Sequence, residues 1–342
     1  MIGRDAMIAF AQDALGLPAS TSVELSPLSG RGSDRSYFRL KWNGGGSAIL
    51  AHYDPKRTEN AYFADIAAFL GEIHVPVPQM IRHDPAACLI VMEDIGDTDL
   101  WSLRETPWES RLSLYRKTIT IVHRLHSFPE KEFPSGRVKL MEGFGPALYR
   151  WERDYFREHL VREFCAIEIE PRFERELESE LSALATRLET GTRCLLHRDL
   201  QSQNVMIRDG EPFLIDFQGM RFGSPFYDLG SLLCDPYVHL SDEERAALLS
   251  FYYRLSEREF DWAVFQNYFW EASVQRLMQA LGAYGFLGIG RGLSAYLEHI
   301  PAALNNLRVA SSHVDSLPRL GELMRICREA IERNAPRNGG SR

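Results

Sequence analysis

The stretch at residues 194–219, CLLHRDLQSQNVMIRDGEPFLIDFQG, decides how this 342-residue chain is read. Its two short apolar runs, VMI and FLI, flank RDGE, which has the composition of a tight turn, so the spacing predicts an antiparallel hairpin. His197, Asp199 and Asn204 stand just before that hairpin, and Asp216 follows it at the end of the second run. The hairpin would bring Asn204 and Asp216 onto adjacent backbone segments.

Downstream and upstream of this hairpin the periodicity changes. Toward the C-terminus the pattern is helical, with amphipathic stretches near 108–127, 148–164, 172–189, 241–254, 260–282 and 290–312. Toward the N-terminus, a helix at 4–16 is ended by Gly16 and Pro18. It precedes three strand-like runs, VELSPL, SYFRLKW and SAILAHY, separated by the glycine-bearing loops LSGRGSDR and NGGG. A helical ENAYFADIAAFLGE follows, VPVP breaks it, and CLIVMED reads as a buried strand. The fold class expected is α+β, with a small antiparallel-sheet lobe at 1–95 and a large mainly helical lobe at 96–335. A cleft between such lobes is a common place for a ligand. The basic, glycine-rich tail at 336–342 is expected to be flexible.

Composition narrows the function. Hydrophobic residues make up 45% and charged residues 25%, the balance of an ordinary globular protein. A formal charge of −8 gives no general attraction to a polyanion, so nucleic acid is not an expected partner. Cys88, Cys165, Cys194, Cys234 and Cys327 show no C-x-x-C spacing, which argues against a zinc site or a disulfide framework and fits a reducing cytoplasm. Arg4 and Asp5 interrupt the N-terminal apolar residues, so neither a signal peptide nor a membrane span is expected there. Oligomeric state is not legible.

The residues around the hairpin have a joint chemical logic. Phosphoryl transfer needs a carboxylate to orient the attacking hydroxyl and oxygen ligands to hold Mg²⁺ on the ATP phosphates. Asp199 suits the first role. Asn204 and Asp216 suit the second, and His197 would pin the loop by hydrogen bonds.

HRDLQSQN and DFQ resemble the catalytic loop and metal-binding motif of the kinase superfamily. The long activation segment closed by A-P-E, the G-x-G-x-x-G loop and the V-A-I-K lysine of protein kinases are absent. Asp216 instead runs through QGMRFGSPF directly into YDLGSLL. This is similar to the aminoglycoside phosphotransferase and choline kinase family, over roughly residues 25–310. Within it, HRDLQSQNVM, IDFQ, YDLGSLL and DPY are most similar to bacterial N-acetylmuramate/N-acetylglucosamine anomeric kinases, and Gln218 in place of the usual glycine is part of that likeness.

The resemblance implies a protein-kinase-like fold, ATP and Mg²⁺ as cofactors, and transfer to an alcohol group of a small molecule. The acceptor it points to is the anomeric hydroxyl of an N-acetylated amino sugar, in cell-wall sugar recycling. An aminoglycoside or amino-alcohol kinase, or a noncatalytic nucleotide-binding module, stands as the alternative. Asp199 would be the base, Asn204 and Asp216 the metal ligands, and Asp228 a support for the catalytic loop. Gly30, Gly32, Ser33 and Arg35 would cover the phosphates, main-chain groups at Met92, Glu93 and Ile95 would bind adenine, and Arg221 would contact the acceptor.

One departure stands out. The strand SAILAHYD lacks the phosphate-binding lysine: Ala51 or His52 takes its place, with Lys56 and Arg57 beyond, and Arg35 is one substitute. Glu59, which would pair with that lysine, is left as an ordinary helix acid. Asp97 and Asp99 are expected to cap the next helix. Trp151, Tyr155, Trp262, Tyr268, Trp270 and Tyr284 read either as core or as a wall for a sugar ring.

Overall fold

The computed structural model describes residues 3–28, 35–257 and 261–334. Gly30, Gly32 and Ser33, and the tail at 336–342, therefore lie outside the described residues. Packing divides the chain into two compact units. The first comprises Met1–Glu142, His197–Asp199 and Gln203–Arg221, and the second Gly143–Leu196, Leu200–Ser202 and Phe222–Arg342. The change from strand to helix near residue 95 is thus not where packing separates: the first unit runs on through Glu142 and takes in most of the catalytic stretch.

The first unit begins with α1 (Arg4–Ala14) and a five-stranded antiparallel sheet in the order β1-β2-β3-β5-β4. Its strands are β1 (Val23–Leu28), β2 (Ser36–Trp42), β3 (Gly46–His52), β4 (Met80–Asp84) and β5 (Leu89–Glu93), with α2 (Thr58–Glu72) between β3 and β4. Alternation drives one sheet face inward. Leu25, Leu40, Ala48, Leu50, Leu89 and Val91 are buried against Met7 and Ala11 of α1, and each fully buried leucine contributes about 1.5–3 kcal/mol. Strand β4 was not anticipated, because MIRHD has no apolar alternation to mark it.

After α3 (Trp108–His126) the chain leaves this unit and re-enters it just past β6 (Cys194–Leu196), to form the hairpin of β7 (Val205–Arg208) and β8 (Glu211–Leu214). Backbone bonds sew that hairpin to the sheet side. Leu100 N–H donates to Val205 O (3.0 Å), Ile207 N–H to Thr98 O (2.7 Å) and Leu214 N–H to Pro76 O (2.9 Å). These bonds are why the unit does not end at residue 95.

The second unit is helical, apart from the pairing of β6 with β9 (Arg221–Gly223), of which Phe222 and Gly223 belong here. Its helices are α4 (Pro146–Phe156), α5 (Pro171–Thr190), α6 (Pro225–Leu233), α7 (Asp242–Ser256), α8 (Trp262–Gly285), α9 (Ile300–Ser312) and α10 (Pro318–Asn334). Helix α8 is buried on nearly all sides, with α4, α6 and α9 packed on it, as a central helix must be. Gly230 permits this at α6: a Cβ there would stand 2.9 Å from Ser273 Cα. Residues 157–164 continue α4 as π-helix, and 286–290 continue α8 likewise. The helix expected at 290–312 begins only at Ile300, after a 3₁₀ stretch, Ser294–His299.

Candidate active site

Asp209 and Gly210 both take left-handed conformations (φ 53° and 74°), as a two-residue type I′ turn requires. That turn sets the register Val205↔Leu214, and Ile215 N–H extends the ladder to Asn204 O at 3.0 Å. Asn204 and Asp216 are thereby fixed at the open end of the hairpin. His197, almost fully buried, donates from Nε2 to Ile215 O at 2.9 Å. Asn204 Nδ2 donates to the carbonyl of Asp199 at 2.8 Å. Three of the four predicted residues are thus linked by hydrogen bonds, and Asp216 directly follows Ile215. Arg198 (φ 78°) and Asp216 (φ 63°) are non-glycine residues in the left-handed region, a strain on the order of 1–3 kcal/mol each that marks ligand-handling sites.

Asp216 is held from two sides. Its Oδ1 accepts from Arg35 Nη2 (2.9 Å) and from Gln218 Nε2 (2.9 Å), while Gln218 Oε1 accepts from Arg35 Nη1 (3.0 Å). Its Oδ2 accepts no hydrogen bond among the described residues, and the same is true of Asn204 Oδ1, whose amide nitrogen is turned to Asp199. One amide oxygen and one carboxylate oxygen are therefore presented. Among the described residues no group of three or more His, Cys, Asp or Glu could hold a metal by itself. Such a pair of hard oxygens suits Mg²⁺, which keeps waters and phosphate oxygens as its other ligands. Phe217 stacks on Phe63 of α2, with centroids 4.7 Å apart and planes at 21°, so the helix is packed on the residue following Asp216.

A cavity of about 380 Å³ opens beside these groups, within the same unit. Ile49, Met92, Ile95, Met206 and Ile215 supply apolar walls, and Asn204 and Asp216 line one end. The main chain of Ile95 has no hydrogen-bond partner among the described residues. Glu93 is fixed: its N–H donates to Gln79 O (2.8 Å), and its carboxylate accepts from Gln79 N–H (3.1 Å) and Arg208 (2.6 Å). Tyr37 also lines the cavity, and burial pushes its hydroxyl up to about 12, so it stays neutral.

Sequence reasoning passed over Arg39, which faces the cavity from β2 opposite Ile49 and pairs with Asp94 (2.8 Å) and Asp97 (2.8 Å). Asp97 is therefore an ion-pair partner and not a helix cap. Asp99 caps no helix either: it accepts from Ser102 N–H at 2.7 Å within a turn, and α3 begins only at Trp108, with Pro107 at its N-cap. No lysine or arginine stands on β3; Ala51 is buried there between Tyr37 and Ile90. Glu59 lies 3.9 Å from Arg57 of its own segment.

In the second unit, Asp228 is fully buried in the first turn of α6. Asp235, in DPY, accepts from Ser202 N–H (2.7 Å) and Tyr237 N–H (3.0 Å) and so holds the loop residue Ser202. Burial pushes its pKa up to about 6 against those hydrogen bonds. In the sequence it was marked only by DPY being part of the family likeness. Arg221, nearly buried, donates from Nε to Gly219 O at 3.0 Å. The six aromatic residues do not form one wall. Trp151 stacks on Tyr155, Trp262 on Phe265, Tyr268 on Phe226 and Trp270 on His313, while Tyr284 packs by Tyr237. Of these stacks only Trp151 is largely exposed, at 49%.

The sequence profile of the phosphotransferase enzyme family matches residues 24–268. The N-acetylmuramate/N-acetylglucosamine kinase of Neisseria meningitidis serogroup B is 24% identical over 299 residues, covering 85% of this chain and 86% of that one. The enzyme of the same name from Pseudomonas aeruginosa is 23% identical, covering 88% of each. Among solved structures, ADP-bound aminoglycoside phosphotransferase APH(2'')-Ib superposes with a TM-score of 0.60 at 14% identity, over 90% of this chain and 99% of that one. A choline/ethanolamine kinase family protein from Mesorhizobium loti gives 0.60 at 14%, over 94% and 99%. These two likenesses are of fold.

Proposed function

The chain belongs to the phosphotransferase enzyme family, and from that premise we propose that this small-molecule kinase phosphorylates the anomeric hydroxyl of an N-acetylated amino sugar, with ATP as donor. One observation carries the catalytic part. Asn204 binds the Asp199 carbonyl with its nitrogen and Asp216 spends Oδ1 on Arg35 and Gln218, so that one oxygen of each remains for a cation.

Asn204 Oδ1 and Asp216 Oδ2 would hold Mg²⁺, which neutralises charge on the phosphates when bound. Asp199, half-buried, orients the acceptor hydroxyl and takes its proton as that oxygen bonds to the γ-phosphorus and the bond from the γ-phosphorus to the bridging oxygen breaks, releasing ADP. His197 keeps the loop in register through Ile215. The free N–H and C=O of Ile95 suit the hydrogen-bonding edge of adenine, with Met92 and Ile49 as apolar walls.

The acceptor is argued from the relatives named N-acetylmuramate/N-acetylglucosamine kinase, which align over most of both chains. Charge agrees. A polycation needs converging carboxylates to offset its lost hydration, and the acid-rich start of α7 is engaged otherwise. Glu244 and Ser241 form a capping box, and Asp242 pairs with Arg245 at 2.7 Å. Incubation with N-acetylmuramate or N-acetylglucosamine and Mg-ATP should yield a sugar 1-phosphate, seen by phosphorus NMR and labile in mild acid. Turnover of aminoglycosides with these sugars inert would overturn the assignment of the acceptor.

A further inference from the structure

Kinases of this architecture need a positive charge from the sheet side on the nucleotide phosphates, and β3 supplies none. The described lysines and arginines between β1 and α2 are few. Lys56 and Arg57 are exposed, and Arg57 turns to Glu59. Lys41 is exposed on β2. Arg39 lines the cavity but is bound by Asp94 and Asp97 and by the Gly96 carbonyl. Of these Arg35 alone is buried, its side chain 8% exposed, and its guanidinium stands 2.9 Å from the Asp216 carboxylate, which lines the cavity.

We propose that Arg35, steered by Gln218, is the cation that meets the nucleotide phosphates in place of the β3 lysine; this rests on the kinase reading above. The arrangement is specific to a guanidinium. Its planar fork reaches two acceptors at once, Asp216 Oδ1 through Nη2 and Gln218 Oε1 through Nη1, whereas an ammonium is a point charge. Gln218 completes the triangle by donating to the same Asp216 oxygen. A glycine at 218 would leave Arg35 without that second anchor. The lysine's task is thereby moved from the middle of β3 to the residue preceding β2. Asp216 keeps Oδ2 for the metal, so Arg35 and the cation act on the phosphates from adjoining positions without competing for one oxygen.

Calorimetry with adenosine, Mg-ADP and Mg-ATP on wild type, Arg35→Ala and Gln218→Gly tests this. Arg35→Ala should weaken Mg-ATP and Mg-ADP by roughly tenfold or more, the loss of a charged hydrogen-bonding partner. Adenosine, which has no phosphate, should bind all three proteins within about twofold of one another. Gln218→Gly should fall between wild type and Arg35→Ala for the two nucleotides. Equal Mg-ATP affinity in wild type and Arg35→Ala would overturn the assignment while leaving the kinase reading intact, as would a parallel loss of adenosine and Mg-ATP, which marks a structural role. A wild-type chain that binds neither adenosine nor Mg-ATP would sink the kinase reading itself, and this assignment with it.

Discussion

The hairpin segment from His197 to Gln218 and the sheet segment from Val23 to Tyr53 sit in the same compact unit, yet they hold to the kinase pattern in different ways. The hairpin segment keeps the pattern residue by residue: the proposed base Asp199 and the proposed metal ligands Asn204 and Asp216 are all present and joined through its backbone. The sheet segment keeps only the geometry, with three of the five antiparallel strands and a buried apolar face but no lysine on β3. Groups that bind a reacting atom have no substitute of different shape. A charge that only has to reach a phosphate can be supplied from elsewhere in the sheet segment, as proposed for Arg35 just before β2.

If that contrast is right, substitutions in the hairpin segment act on chemistry and metal, and those elsewhere act on affinity or stability. The largest effect is expected for Asp199→Asn. Turnover should fall about 10²- to 10⁴-fold, the usual weight of a general base, with Mg-ATP affinity nearly unchanged. Near wild-type turnover in the purified variant would remove Asp199 from that role.

Next in size is Asp216→Ala, which removes a metal oxygen and leaves Arg35 buried without its carboxylate. Mg-ATP binding should weaken by roughly tenfold or more, and further than in Asp199→Asn. Calorimetric affinities equal to wild type would withdraw the metal assignment.

The last test leaves affinity for stability and concerns the hold of Asp235 on Ser202 within the second unit. Asp235 has a folded pKa of about 6 against an ordinary value of 3.8, raised by burial. A raised carboxyl pKa means the folded state binds more protons than the unfolded one between those values. Its favourable contribution is therefore complete below about pH 4 and is lost as pH rises through 6, by up to ~3 kcal/mol. Asp235→Asn does not titrate. Melting temperatures of wild type and variant, compared from pH 4 to 7, should diverge in the variant's favour by several degrees; a pH-independent gap would contradict the buried titration.

The sequence by itself determined whatever rests on neighbours along the chain. Asp209-Gly210 selects the turn, the flanking apolar runs make the strands, and Asn204 and Asp216 come together because the hairpin register leaves no other arrangement. Residues 318–334 were legible too, since Leu320, Leu323, Met324, Cys327 and Ala330 repeat at helical spacing and are buried in α10, although the helical reading above stops at 312. The π-helical turns were not, because an i→i+5 ladder barely alters the spacing of apolar residues.

Only the tertiary structure decided which charge answers which. Arg35 and Asp216 are 181 positions apart, Arg39 and Asp97 are 58 apart, and Asp235 reaches Ser202 across 33. No periodicity links such positions. Each pairing is set by where sheet, hairpin and helices bring backbone segments together, and a buried charge then takes the partner that relieves its desolvation.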